Sequence, residues 1–150
     1  NMIMKIAVAC DHGGYDYKEI VKDLLLEMGH EVKDCGCPST QSVDYTDFAA
    51  PCAKAVASKE YDRGIVICGT GIGVSITANK VKGIRCALCS DPVSAQLTRL
   101  HNDSNMLAMG ARIIGVEMMK EIVRVWVETP FSEDERHIRR IKKISELENE

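Results

Sequence analysis

Gly64-Ile-Val-Ile-Cys68-Gly-Thr-Gly-Ile-Gly73-Val-Ser-Ile-Thr-Ala-Asn79-Lys80 is the stretch whose reading decides the fold. Gly64–Cys68 is a short run rich in β-branched residues, Gly69-Thr70-Gly71-Ile72-Gly73 is a glycine loop, and a helix follows from about Val74 to Lys80. A buried strand passing through glycines into a helix is the unit from which parallel sheets are wound. The same unit recurs on both sides. Upstream, Met4–Cys10 reads as a first strand ending at Asp11-His12-Gly13-Gly14, and Ile20, Val21, Leu24, Leu25 and Met28 then form one helical stripe stopped by Gly29. Glu31–Cys35 is a weak edge strand, and Asp44–Ser58 carries Phe48, Ala49, Cys52, Ala53 and Val56 at helical spacing. Pro51 within that pattern belongs in the first turn or bends the helix. Downstream come a fourth strand at Ile84–Leu88, a helix from about Pro92 to Leu100, a fifth strand at Asn105–Met109 and a helix at Val116–Val127 before Pro130. The expected fold is therefore α/β: a three-layer αβα, Rossmann-like single domain on a five-stranded parallel sheet, with its ligand site beyond the carboxyl ends of the strands.

Composition agrees and excludes several classes. The 150 residues are 45% hydrophobic and 27% charged, the mix of one globular domain. With 19 Lys and Arg against 22 Asp and Glu, the net charge of −3 gives no basic field for nucleic acid. No apolar run approaches the ~20 residues of a membrane span, and Ile6–Cys10 is too short for a secretory signal. Seven cysteines, an odd number in a core-forming chain, read as reduced thiols of a cytoplasmic protein. Cys35-Gly36-Cys37 and Cys86-x-x-Cys89 lack matching ligand clusters, and alternation along a strand turns Cys86 and Cys89 to opposite faces, so no metal site is expected.

The tail from Ser132 to Glu150 is charged, yet Ile138, Ile141 and Ile144 recur every three residues. Such a thin apolar seam on a polar helix packs on something else, most economically a second copy of the chain. The polar residues at strand ends are Asp11 and His12, Cys68 with its loop, Ser90 and Asp91, His101, Asn102 and Asp103 before the fifth strand, and Arg112 after it. They read as one dense edge. His30 sits in a loop without an evident partner and reads as solvent-exposed.

Each feature has a plain and a chemical reading. Gly69–Gly73 is not a P-loop and lacks the third glycine of a dinucleotide fingerprint, Val74 standing there. It is either a tight turn or a nest of N–H groups at a helix N-terminus that holds a phosphate or an oxyanion. Cys68, directly before it, is either a small buried strand end or a thiol activated by the helix dipole. His101-Asn102-Asp103 is either a polar helix C-cap or part of a site. Arg136 and Arg140 share one helix face, as a solvated charge run or a fork-like phosphate clamp.

At Cys10-Asp-His-Gly-Gly14, Ile67-Cys-Gly-Thr-Gly-Ile-Gly-Val-Ser75, Asn79-Lys80, Gly83-Ile-Arg85 and His101-Asn-Asp103 the chain closely resembles the ribose-5-phosphate isomerase B family, which also includes allose-6-phosphate and galactose-6-phosphate isomerases. The match runs in order from Met4 to about Glu148. The resemblance implies an enzyme of carbohydrate metabolism that interconverts ribose 5-phosphate and ribulose 5-phosphate through a cis-enediolate, without metal or other cofactor. Cys68 matches the base that moves a proton between carbons 1 and 2. Some members use a carboxylate further along the loop instead, but no acid stands between Gly69 and Ala78. The N–H groups of Gly69, Thr70, Gly71, Ile72 and Gly73 match the anion hole, and Thr70 also assists the substrate oxygens. His101 matches the acid that opens the furanose ring. Asp11 and Asn102 match contacts to sugar hydroxyls, and His12, Arg112, Arg136 and Arg140 the phosphate ligands. Asp44-Tyr45 resembles the family's Asp-Tyr pair near the base, although Thr46 stands where the family usually has proline. Family members are homodimers, often paired into tetramers, with each site shared between subunits. The alternatives are a hexose 6-phosphate as substrate, or a non-catalytic nucleotide- or phosphate-binding module.

Overall fold

A computed structural model describes residues 2–150. In chain order the elements are β1 (Lys5–Cys10), α1 (Tyr15–Glu27), β2 (Glu31–Asp34), α2 (Thr46–Ala57), β3 (Arg63–Cys68), α3 (Ile72–Asn79), β4 (Cys86–Leu88), α4 (Pro92–Asn102), β5 (Met106–Gly110), α5 (Val116–Glu128) and α6 (Glu135–Leu147). The strand period of two sets the layers. Ile6, Val8, Ile65, Ile67, Leu107 and Met109 face the side covered by α1, α4 and α5. Ala7, Ala9, Val66, Cys68 and Ala108 face α2 and α3. Small side chains on that second face let α2 and α3 lie close to the sheet.

All pairings are parallel, in the order β2-β1-β3-β5-β4. Ile67 is level with Cys10 on one side and Met109 on the other, and Cys68 with Gly110, so three strand ends finish together. The winding direction reverses between β1 and β3, which opens a crevice above their carboxyl ends. The five-stranded αβα fold expected from the sequence is the one formed. No helix is long and apolar enough to cross a membrane among the described residues.

Local chemistry explains the boundaries. Gly29 has φ +90 just beyond α1, the left-handed conformation that closes a helix and suits glycine. Asp91 caps α4 by accepting from the Ser94 N–H at 2.7 Å, with Pro92 in the first turn. Of the two places expected for Pro51, the first turn is not the one it takes. It is the sixth residue of α2, past the first turn, and exposed. The entry is tightened upstream instead, where Asp47 and Phe48 N–H donate to the Asp44 and Tyr45 carbonyls.

Two further readings need correction. His30 is half-buried, and its Nδ1 accepts from the Met4 N–H at 3.0 Å. Burial, then the Arg63 charge, pushes its pKa down. His101 and Asn102 form the last turn of α4 rather than following it, and Asp103 is the cap at φ 45. The cysteines are free, and Cys86 and Cys89 do face opposite sides of the sheet. Burial raises the Cys10 and Cys86 thiols to about 12 and Cys89 to about 11. Cys35 differs, since the neighbouring Cys52 thiol holds it below the ordinary thiol range.

α6 lies outside the layers. Its entry is tied to α4 by Ser132, whose Oγ donates to the Leu100 carbonyl at 2.7 Å, and its exit by Glu148, which accepts from the Gly83 N–H at 2.9 Å. Ile138 and Ile144 remain 49% and 46% exposed, so most of the seam is not covered within the chain.

Candidate active site

β3 delivers Cys68 to the crevice because its even-numbered neighbour Val66 points the same way, toward α2 and α3. The chain then turns through Gly71, at φ +80, where a Cβ would come within 2.7 Å of the Met109 carbonyl carbon. Only glycine meets both demands. This turn aims the Gly71 N–H at Cys68 Sγ, at 3.1 Å. The Ile72 N–H donates to Thr70 Oγ1 at 3.2 Å, so two of the five loop amides are engaged within the loop. The N–H groups of Gly73 and Val74 belong to the first turn of α3, where a helix offers no internal acceptor.

Around the sulfur, Asp11, His12, Gly13, Tyr45, Gly69, Thr70, Ile72, Gly73, Ile76 and Arg112 line one cavity of about 530 Å³, within the range of small-molecule sites. Cys68 is 5% exposed and on its wall. Asp11 N–H donates to the Ile67 carbonyl, and its Oδ1 accepts from the Gly13 N–H at 2.9 Å, which fixes the turn carrying His12. His12 Nδ1 accepts from the Val43 N–H at 3.1 Å. Its ring proton therefore sits on Nε2, leaving that nitrogen as a donor. Tyr45 closes another wall, its ring so near Gly73 that a Cβ there would meet it at 2.7 Å. Arg112 N–H donates to the Gly69 carbonyl at 2.9 Å, and its side chain passes over that glycine.

A buried brace supports this edge. Lys18, 1% exposed, donates to Asp34 Oδ1 at 2.8 Å and to the Cys37 carbonyl at 2.8 Å. Gly36 and Cys37 in turn hydrogen-bond the backbone of Cys10, the residue before Asp11. Burial opposes ionisation of Asp34, but the Lys18 and Lys22 ammonium groups and the Gly36 N–H outweigh it and bring the pKa to about 2.

The remaining predicted residues lie elsewhere. α4 runs from β4 back to the start of β5, so His101 and Asn102 sit at the amino edge of the sheet, opposite Cys68. The strand-end residues thus form two groups in one chain, not one edge. Arg136 and Arg140 project exposed from α6 beside α4. Asp103 is structural: Arg99, 4% exposed, donates to it at 2.9 Å and also to the Thr129 and Ser104 carbonyls. Arg85 holds the same corner through the Asn102 and Asp103 carbonyls. Asn79 pairs with both backbone groups of Cys86 and anchors β4.

One side chain at this second group was missed. His137 is 7% exposed and stacks on His101, ring centroids 4.4 Å apart and planes 22° from parallel. The available signal was its place four residues before Ile141, on the inward side of the charged helix.

A larger hollow of about 790 Å³ at the amino edge is lined by Met2, Met28, His30, Arg63 and Pro130, among others. His30 there is committed to Met4, Arg63 to the Trp126 and Val127 carbonyls and the Thr129 hydroxyl to the Val125 carbonyl, and no cysteine lines it. Among the described residues no three His, Cys, Asp or Glu side chains group as a metal site.

Comparison with known proteins gives a consistent result. The profile of the Ribose/Galactose Isomerase family matches residues 6–144. A putative sugar phosphate isomerase of Bacillus subtilis is 54% identical over 97% of both chains. Ribose-5-phosphate isomerase B of Escherichia coli is 48% identical over 96% of both. Among solved structures, ribose-5-phosphate isomerase B of Clostridium thermocellum superposes with a TM-score of 0.95 at 49% identity, covering 97% of this chain and 98% of that one.

Proposed function

This chain belongs to the ribose/galactose isomerase family, and from that premise we propose that it interconverts ribose 5-phosphate and ribulose 5-phosphate. The observation that carries the reading is Cys68 Sγ on the cavity wall, facing the Gly71 N–H at 3.1 Å at the N-terminus of α3. A sulfur that must stand as a thiolate before it takes a proton, and again once it has given that proton back, needs such a donor.

The reaction follows in balanced steps. His101 gives a proton to the ring oxygen of the furanose as the bond from that oxygen to carbon 1 breaks. The hydroxyl on carbon 1 gives its proton to water, from which His101 is reprotonated, and its oxygen becomes the carbonyl oxygen. Cys68 then takes the proton from carbon 2; the electrons of that C–H bond form the carbon 1–carbon 2 double bond, and the carbonyl π pair moves onto oxygen 1. Loop N–H groups hold the resulting enediolate oxygens, each such donor contributing about 3–4 kcal/mol in comparable sites. A proton passes from oxygen 2 to oxygen 1 beside Thr70, and Cys68 returns its proton to carbon 1. Asp11 and Asn102 orient the hydroxyls. Tyr45 shields one side of the cavity. His12, through Nε2, and Arg112, Arg136 and Arg140 bind the phosphate, which does not react and whose binding energy positions the sugar.

His101, Asn102, Arg136 and Arg140 reach a crevice only if a second copy supplies them, and the uncovered seam of α6 supports that arrangement. The functional unit is thus a homodimer with two shared sites.

The test is incubation with ribose 5-phosphate and assay of ribulose 5-phosphate, with galactose 6-phosphate and ATP binding run alongside. The expected result is isomerisation of the pentose, lost in Cys68→Ala with the fold retained. Full activity in Cys68→Ala overturns the base assignment. Turnover of the hexose alone, or tight ATP binding without isomerisation, overturns the substrate.

A further inference from the structure

The stacked imidazoles at the amino edge have no place in the steps above beyond the role given to His101. His137 is the third residue of α6 and 7% exposed. Its N–H donates to the Asp134 carbonyl at 3.0 Å, and Asp134 caps the helix by accepting from the Arg136 N–H at 3.1 Å. Ser132 pins the same entry to the end of α4, one residue before His101. The backbone of His137 is thus fixed by the capped turn, and its ring lies against that of His101. His101 is only half-buried, with no other aromatic neighbour recorded among the described residues.

We propose that His137 is a positioning residue for His101: its ring is the flat platform that fixes the plane of the ring-opening acid and locks it to the turn of α6 that carries Arg136 and Arg140. This rests on the reading of His101 as that acid. Two rings 4.4 Å apart and nearly parallel restrict the side-chain rotation that an exposed histidine otherwise has. Burial, then the charges of His101 and Arg136, lower the His137 pKa against the opposing pull of Asp134, and Arg140 adds to the lowering. Two stacked imidazolium ions repel, and the lowering at His137 acts against that state. Phosphate capture by the arginines and orientation of the acid then become one mechanical event, because both depend on how α6 is seated on α4.

The experiment compares His137→Leu, which fills the volume without a ring, and His137→Phe, which keeps the plane without a titrating nitrogen, with His101→Asn as reference. Each is assayed in both directions. Ribulose 5-phosphate is acyclic, its 5-oxygen being esterified, so it needs no ring opening. In His101→Asn the rate from ribose 5-phosphate stops rising with enzyme concentration, at the ceiling of uncatalysed ring opening. In His137→Leu the rate per enzyme from ribose 5-phosphate falls about ten-fold, the rate from ribulose 5-phosphate changes less than about two-fold, and His137→Phe restores the first. A His137→Leu enzyme with unchanged rates beside an impaired His101→Asn overturns the platform alone. So does His137→Phe as poor as His137→Leu, which makes the nitrogen rather than the plane decisive. A His101→Asn enzyme without the ceiling removes the acid assignment and the platform with it.

Discussion

The crevice at the carboxyl edge and the surface at the amino edge hold their functional side chains by different means. Cys68 ends the buried strand β3 and Asp11 follows the buried strand β1, and the turns there are fixed by N–H donation from Gly71 to the sulfur and from Gly13 to the carboxylate. Arg136 and Arg140 stand exposed on a peripheral helix joined to the domain at its ends. The difference matches the tolerances of the chemistry. Proton abstraction and oxyanion stabilisation demand placement within about an ångström, whereas a doubly charged phosphate is captured by long arms that adjust.

The comparison breaks most visibly in mixed dimers. Cys68→Ala is expected to lower turnover by about 10²–10⁴. Arg140→Ala is expected to act on KM, at a cost of about 1.5–3 kcal/mol. Each dimer is impaired at both sites, but a heterodimer of the two variants contains one intact site. Unfolding and co-refolding an equal mixture should return about a quarter of wild-type activity, assayed with substrate well below the wild-type KM. No recovery, with heterodimers shown to form, would place both halves of the site in one chain.

A smaller effect separates two glycines with positive φ. Gly71, at φ +80, has the Met109 backbone in the way of a Cβ, whereas Gly29, at φ +90, has nothing within 4 Å. Gly29→Ala should cost about 1–2 kcal/mol from the left-handed backbone alone. Gly71→Ala should cost more and also lower kcat, because the loop must shift away from Cys68. Denaturant melts and initial rates read both.

The smallest effect concerns the brace behind Asp11. The Asp34 pKa of about 2 lies below the ordinary carboxylate range, so its ionised form favours the folded state. That stability is fully present above about pH 4 and is lost as pH falls through about 2. Asp34→Asn should therefore melt below wild type near neutrality, with the gap closing as acid is added. A constant gap across that window would show that the carboxylate charge is not what matters.

What was legible followed from how far each contact reaches along the chain. Alternation in Ile6–Cys10 and Ile65–Cys68 places the strands, and the Cys68–Gly73 site is written in six adjacent residues. The His30 to Met4 contact joins residues 26 apart, and the His101–His137 stack depends on how two helices pack, which no local pattern encodes. The division of the site between two edges was hidden for another reason. Listing polar residues near strands does not say which end of a strand they occupy; His101 and Asn102 precede β5, whereas Asp11 and Gly69 follow β1 and β3.

The neighbouring thiols of Cys35 and Cys52 have a practical consequence for labelling. Cys35 is half-buried and has its pKa lowered, while Cys10, Cys52, Cys86 and Cys89 are held as unreactive neutral thiols. An alkylating reagent such as iodoacetamide therefore finds a competing target in Cys35, which is not among the residues lining the cavity. Inactivation by alkylation reports on Cys68 only when Cys35 has been replaced by serine or when the modified peptide is mapped.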